Sequence, residues 1–231
     1  MKDETPNLSA LTKEKSLFAL YRLSWRFPQR KFNCAVAAVI ALAVAGYCAM
    51  SEVSTDILVT TVRKAGEVGL SLSTSLLGFL IAGFTIFATI TKIDLFVRMA
   101  KEEYKVKTRN GELKGTGESW LKYSLSAFMV VFVHYVSFLF ACILIALFGQ
   151  AYGPLPFAFS LFLQMFPPDA IDLARRAVVS LCLVAFSTWL VYLVLLLKSF
   201  VFNTYQVLVI TVRWESQEDS HDDSNGPSAG V

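Results

Sequence analysis

The stretch YSLSAFMVVFVHYVSFLFACILIALF, residues 123–148, contains no Lys, Arg, Asp or Glu. It is longer than the about 20 apolar residues that a helix needs to cross roughly 30 Å of hydrocarbon. Three further runs, 32–50, 70–91 and 177–197, also lack these charged residues. None of the four runs alternates apolar and polar residues as the strands of a membrane barrel do. We therefore predict an all-α membrane protein with four transmembrane helices and cytoplasmic helical extensions.

The composition of the chain supports this class. Of the 231 residues, 55% are hydrophobic and 17% are charged, whereas soluble domains have about 45–50% and about 25%. This difference excludes a disordered chain, a secreted disulfide scaffold and most soluble enzymes. The net charge of +3 is far below the basic bias typical of nucleic-acid binders, so we expect no direct nucleic-acid partner.

The distribution of Lys and Arg predicts the orientation. Residues 1–31 contain seven, residues 92–122 contain eight and residues 198–231 contain two. The other side would hold four, namely Arg63, Lys64, Arg175 and Arg176. Because cytoplasmic loops are enriched in Lys and Arg, we expect both termini and the central loop to be cytoplasmic. Arg175 and Arg176 directly precede the fourth run, and we expect them to reach out to lipid head groups.

The regions outside the 32–197 membrane domain differ in character. Residues 1–31 form a basic, partly amphipathic segment, which suggests a short helix on the inner leaflet or an ordinary basic flank of the first span. Residues 198–214 are apolar with few polar interruptions and predict a helical extension. Residues 215–231 are acidic, without Lys or Arg, and predict a disordered tail. Four basic residues of the first segment are candidates for contact with the membrane surface: Arg22, Arg26, Arg30 and Lys31.

Two connections between the spans have recognisable patterns. In the cytoplasmic loop 92–122, apolar residues at helical spacing over 93–106 predict a continuation of the second helix, and the glycines that follow predict a flexible turn. On the other side, the apolar stretch 155–166 is bounded by prolines and is too short to span. It predicts an interfacial or re-entrant helix.

A stripe of small and hydroxyl-bearing residues marks the second span. Its seven members alternate spacings of four and three residues, which keeps them on one face of a helix: Ser71, Ser75, Gly78, Ala82, Thr85, Thr89 and Lys92. Small residues at this spacing let helix backbones approach closely in lipid. The stripe therefore predicts either a tight packing seam or the lining of a narrow pore formed by several copies, with Lys92 at its inner mouth.

His134 is the one histidine within a predicted span. Ionisable residues inside membranes are frequent functional sites, so proton sensing or gating is one interpretation. A neutral imidazole bonded to a nearby hydroxyl or carbonyl is the other. Ser126, Tyr135 and Ser137 are the local partners that the sequence offers.

The sequence offers little support for catalysis. The second histidine, His221, lies in the predicted tail, and the chain contains no Walker loop, GxSxG or HExxH motif. The four cysteines all lie in apolar runs and form no CxxC pair, which argues against zinc and disulfides. We expect no catalytic residues, no metal and no cofactor, and no enzymatic activity.

The segment LLGFLIAGFTIFATI, residues 76–90, resembles a segment of small bacterial inner-membrane proteins with four spans. The chain length, the four spans and the cytoplasmic termini also resemble the membrane subunit of Kiwa-type antiphage systems. The resemblance implies an oligomer in the membrane with a cytoplasmic partner, and it assigns no functional residues.

Together these features predict a homo-oligomer in the lipid bilayer that acts as a sensor or scaffold. It would relay disturbance of the membrane to a cytoplasmic effector protein through residues 93–120 and 198–214. The alternative is a small homo-oligomeric ion channel or pore lined by the second helix.

Overall fold

The computed structural model describes residues 30–50, 53–90, 93–107 and 112–222. Within these ranges the elements are α1 (Arg30–Ala49), α2 (Thr55–Ile90), α3 (Ile93–Lys101), β1 (Glu103–Lys107), β2 (Leu113–Ser119), α4 (Trp120–Phe148), α5 (Pro154–Leu163), a 3-10 turn (Pro168–Ala170) and α6 (Ile171–Asp222). Helices α1, α2, α4 and α6 are long and apolar enough to cross a membrane. The predicted all-α fold with four membrane-spanning helices is confirmed, with the addition of a small sheet.

Two helices, α2 and α6, are much longer than the charge-free runs that predicted them. Helix α2 begins at Thr55, where the Ser54 hydroxyl accepts a hydrogen bond from the Ile57 amide at 3.4 Å, as an N-cap residue does. Helix α6 has 52 residues, which corresponds to roughly 78 Å at 1.5 Å per residue. It continues beyond Glu215 to Asp222, so residues 215–222, which were predicted to be disordered, are helical. The rest of the tail, 223–231, lies outside the described residues.

The described residues belong to two compact units. The first, called the bundle unit, comprises 30–50, 53–82 and 130–197. Near the end of α1, a buried apolar cluster joins α1, the start of α2 and α6: Cys48, Val53, Leu58 and Leu183. Farther along, the Phe138 ring of α4 lies 4.6 Å from the Phe186 ring of α6. Helix α5, confirmed as a helix, begins with Pro154 at a position where a missing amide hydrogen costs no helical bond.

The second unit, called the hairpin unit, comprises 83–90, 93–107, 112–129 and 198–222. Its buried cluster joins α3, the first turn of α4 and the extension of α6: Leu95, Met99, Leu121 and Val207. Beside this cluster the Tyr104 ring stacks on Tyr123 at 3.8 Å and meets the edge of Trp120 at 4.7 Å. Such aromatic groups are typical of the membrane–water interface.

The prediction of a helix over 93–106 is wrong beyond Lys101, because β1 and β2 form an antiparallel hairpin. The strands pair Lys105 with Gly115, and the register shifts between Glu103 and Lys105. At this irregularity the Glu103 carboxylate accepts the Gly117 amide hydrogen at 2.7 Å, and Gly117 has a φ of +74°. Gly115 and Gly117, predicted to lie in a flexible turn, are therefore strand residues, whereas 108–111 lie outside the described residues.

Candidate functional site

Six of the seven stripe residues lie on one exposed face of α2, as their spacing predicts. These are Ser71, Ser75, Gly78, Ala82, Thr85 and Thr89, and Lys92 lies outside the described residues. A Cβ built on Gly78 meets no atom within 4 Å. Among the described residues, the stripe is therefore an exposed surface of small residues, with open space in front of Gly78.

Two of the stripe hydroxyls bond to the backbone of their own helix. The Ser75 hydroxyl donates to the Ser71 carbonyl at 3.1 Å, and the Thr89 hydroxyl donates to the Thr85 carbonyl at 2.9 Å. These bonds satisfy the hydroxyl donors within the helix. Since an unsatisfied donor is costly in hydrocarbon, the face can lie against lipid or against another helix without water.

Two other glycines of α2 lie close to side chains of α4. A Cβ on Gly69 would lie 3.0 Å from the Cys142 sulfur and 3.1 Å from the Phe138 ring, and one on Gly66 would lie 2.9 Å from Ile145. The sequence analysis did not single out these two glycines, although their spacing of three residues places both on one helix face. The tight intrachain seam of α2 is therefore separate from the stripe.

His134 is half-buried in α4, and its ring meets Tyr192 of α6 edge-on at 5.4 Å between ring centroids. Two of the hydroxyls predicted as its local partners bond to backbone carbonyls. Tyr135 donates to the Leu193 carbonyl at 3.1 Å, and Ser126 donates to the Tyr123 carbonyl at 2.9 Å. Tyr192, which contacts His134 from α6, is not among the partners that the sequence predicted.

The arginines at the start of α6 bind protein groups. Arg176 donates to the Cys48 carbonyl at 3.1 Å and to the Met50 carbonyl at 2.6 Å. Arg175 lies 3.4 Å from a carboxylate oxygen of Asp56. Arg176 thus caps the end of α1, where the last carbonyls of a helix lack partners within it, and the reach of these arginines to lipid head groups stays a prediction.

Arg63, which is expected on the same side of the membrane as Arg175 and Arg176, contacts the loop after α4. The Arg63 Nε donates to the Gly149 carbonyl at 2.7 Å. Among the predicted membrane-surface residues, Arg30 and Lys31 form the first turn of α1. Arg22 and Arg26 lie outside the described residues, together with the predicted amphipathic segment.

The cysteines, all four of which are described, are free thiols, exposed at Cys34 and Cys182 and buried at Cys48 and Cys142. The described geometry thus offers exposed apolar and small-residue surfaces on α2 and α6. No family model, no curated protein and no solved structure matches the chain. A function must therefore be inferred from the chain's own residues.

Proposed function

We propose that the protein is a non-enzymatic sensor or scaffold of the bacterial inner membrane that acts as a homo-oligomer. In this proposal, a disturbance of the bilayer shifts the packing of the spanning helices and is relayed to a cytoplasmic effector protein. The resemblance of the chain length, the four spans and the expected cytoplasmic termini to the membrane subunit of Kiwa-type systems favours antiphage defence as its setting.

The observation that carries the proposal is the buried cluster of the hairpin unit. Val207 lies on α6, which runs unbroken from the span that begins near Arg176. It is 4% exposed and packs with Leu95, Met99 and Leu121. Leu95, Met99 and Val207 come from the two segments expected to form the relay, and Leu121 directly follows the first of them. Since packed interiors resist compression, a displacement of α6 along its axis would also displace α3 and the hairpin.

The exposed stripe on α2 supports the homo-oligomer. Helix association in lipid depends on close van der Waals packing, which small residues permit. Gly78 has open space in front of it, and Ser75 and Thr89 have satisfied donors. The face is therefore suited to the stripe of a second copy.

The extension of α6 supports an effector surface. On the side away from Val207 it carries exposed apolar residues: Val201, Phe202, Tyr205, Leu208, Val209 and Val212. The charge-free run from 177 to 197 already supplies the about 20 residues that a crossing needs. We take this run as the crossing within the longer candidate span Pro168–Ile210, so that the six residues follow it, where a protein partner would bury them.

Hydrogen exchange in nanodiscs tests the relay without knowledge of the effector. Transfer from a thin to a thick bilayer should change the amide protection of β2 and of residues 198–207 in the wild type. The response should weaken in Val207→Ala, which loosens the cluster, and persist in Gln206→Ala, an exposed neighbour on the same helix. Identical protection of the wild type in both bilayers would exclude a relay.

A small homo-oligomeric channel is the second candidate, favoured by the exposure of stripe hydroxyls along α2. Conductance in planar bilayers decides this question. If the stripe lines a pore, Gly78→Leu and Thr85→Leu should block it, whereas Ile81→Leu, exposed outside the stripe, should not. Reconstituted oligomers that conduct no ions would rule the channel out.

A further inference from the structure

The connection between α4 and α6, residues 149–170, joins two candidate membrane spans. Its two ends therefore lie at the same face of the membrane. From Gly149 to Pro168 the connection contains no Lys, Arg, Asp or Glu. Helix α5 within it has 10 residues, about half of the length that a crossing needs. The connection thus brings an apolar helix to one leaflet without crossing the other.

Helix α5 is exposed over most of its circumference, and the exposed part has no polar face. Only Leu163 of this helix is buried, whereas Leu155, Ser160 and Leu161 are exposed in directions roughly 100–140° apart. Ser160 is the single polar residue of α5, and its hydroxyl donates to the Phe157 carbonyl of the same helix at 2.7 Å. A helix that lies on a membrane surface turns a charged or polar face to water. Because α5 has no such face, its exposed sides require apolar surroundings.

The start of α5 has few amide hydrogens that need a partner. The first amides of a helix lack acceptors within it, but Pro154 and Pro156 have no amide hydrogen. The Phe157 amide donates to the Gly153 carbonyl at 3.2 Å. Leu155 is thus the one residue among the first three of α5 with an amide hydrogen to satisfy. Since an unpaired amide is costly in hydrocarbon, the two prolines suit this end of the helix to an apolar environment.

The end of α5 continues in turns that use its last carbonyls. The amides of Met165 and Phe166 donate to the carbonyls of Phe162 and Leu163, at 3.1 and 3.0 Å. The next two residues, 167–168, are prolines, which have no amide hydrogen to donate. Because the backbone at both ends of α5 has few donors left to satisfy, hydrocarbon can surround the helix.

The same connection leads directly into α6. The Ala170 amide donates to the Pro167 carbonyl at 2.9 Å, and the 3-10 turn Pro168–Ala170 is followed by α6 without a gap. At the other end, Arg63 of α2 donates to the Gly149 carbonyl. A shift of α5 would therefore displace the start of α6, while the first residue of the connection stays attached to α2.

We propose that α5 lies among the acyl chains of one leaflet, and that it is the element through which the packing of these chains acts on α6. The expected orientation makes this the outer leaflet. Acyl chains are favoured over a protein partner because the exposed apolar surface of α5 continues that of α4, a candidate span whose last residues, Leu147 and Phe148, are exposed. The second part of the inference rests on the proposed function, since it names the element that senses the bilayer.

Collision of spin labels with two quenchers tests the lipid contact. In a background with the four cysteines replaced by Ala, a nitroxide is attached to Leu155→Cys, Ser160→Cys or Leu161→Cys, and circular dichroism in vesicles checks the helix content. Oxygen concentrates in hydrocarbon, whereas a charged nickel chelate stays in water. We expect all three labels to collide more with oxygen than with the chelate. A label at Phe140→Cys, exposed within α4, serves as the lipid reference, and one at the exposed Lys64→Cys serves as the water reference.

Two results would overturn the lipid contact of α5. Access of the nickel chelate to one of the three labels but not to the others would place the helix at the surface, with one side in water. Low collision with both reagents at all three labels would mean that protein covers the helix, either a second copy or another partner.

Hydrogen exchange in thin and thick nanodiscs tests the coupling to α6. Phe157→Ser with Leu161→Ser makes the exposed side of α5 polar and should remove most of the change in protection over residues 198–207. Phe157→Leu with Leu161→Phe exchanges the same two side chains, keeps the helix apolar and should preserve that change. A full response in the Ser variant would overturn the role of α5. The spin labels need no relay, so lipid contact of all three labels together with an unresponsive wild type would refute the proposed function and leave α5 in its leaflet.

Discussion

Arg176 and Arg175 are adjacent, and the structure predicts very different effects for their replacement by Met. Arg176 donates to two carbonyls at the end of α1, at 3.1 and 2.6 Å. A hydrogen bond from a charged group contributes about 1.5–3 kcal/mol. One of the two bonds is exposed, so we expect a combined loss of roughly 2–3 kcal/mol, after a discount for solvent screening. The Arg175 pair with Asp56 is 3.4 Å long and exposed, which predicts a loss of about 0–1 kcal/mol.

Thermal unfolding in detergent micelles measures the contrast. For a chain of this length, 1 kcal/mol corresponds to a shift of the Tm by roughly 2–4 °C. Arg176→Met should therefore lower the Tm by about 4–12 °C, and Arg175→Met should lower it by clearly less. Met keeps an apolar stem of similar length, so the comparison isolates the charged donors. Equal shifts for the two variants would refute the assignment of Arg176 as the cap of α1.

Other consequences can be checked with single substitutions. Phe138→Ala should reduce the free energy of unfolding by about 3 kcal/mol or more, because Phe138 is fully buried. Phe140→Ala, 61% exposed on the same helix, serves as the control and should change it little. Gly117→Ala should raise hydrogen exchange in the hairpin, because a left-handed φ costs a residue with a Cβ roughly 1 kcal/mol; unchanged protection would contradict the strained turn. In a cysteine-free background, an impermeant maleimide should label Lys64→Cys in spheroplasts and Lys105→Cys only in inverted vesicles, and the reverse result would invert the topology.

The spanning helices could be predicted from the sequence because their signal is local. Residues 123–148 carry no charged side chain, and an uncharged, mostly apolar run of this length predicts a spanning helix whatever its side chains contact. The exposed face of the stripe was predictable for the same reason, because helical periodicity alone places Ser71 and Thr85 on one side. What packs against Gly78 depends on the surface that meets it. The spacing of residues within α2 carries no information about that surface.

The hairpin was missed because its signal is short and competes with a helical one. Ile93, Phe96 and Ala100 follow helical spacing, and the structure ends this helix at Lys101. From Tyr104 to Lys107 the residues alternate between aromatic or apolar and basic, as in a strand, but over too few positions to decide. The decisive contacts are those of the Glu103 carboxylate at Gly117. They join residues 14 positions apart, so pattern counting within a short window does not find them.

The capping arginine changes how the charges of the chain should be counted. The positive-inside rule treats each Lys or Arg as a charge that prefers the cytoplasm, and on that basis Arg176 argues against the expected orientation. In the structure its guanidinium donates to the Cys48 carbonyl in the last turn of α1 and to the Met50 carbonyl just after it, and Arg63 donates to the Gly149 carbonyl just after α4. Both arginines therefore have a structural reason to be on their side of the bundle. Once they are counted as structural, the contrast between that side and the basic segments 1–31 and 92–122 becomes sharper, and it favours cytoplasmic termini more strongly than the bare census does.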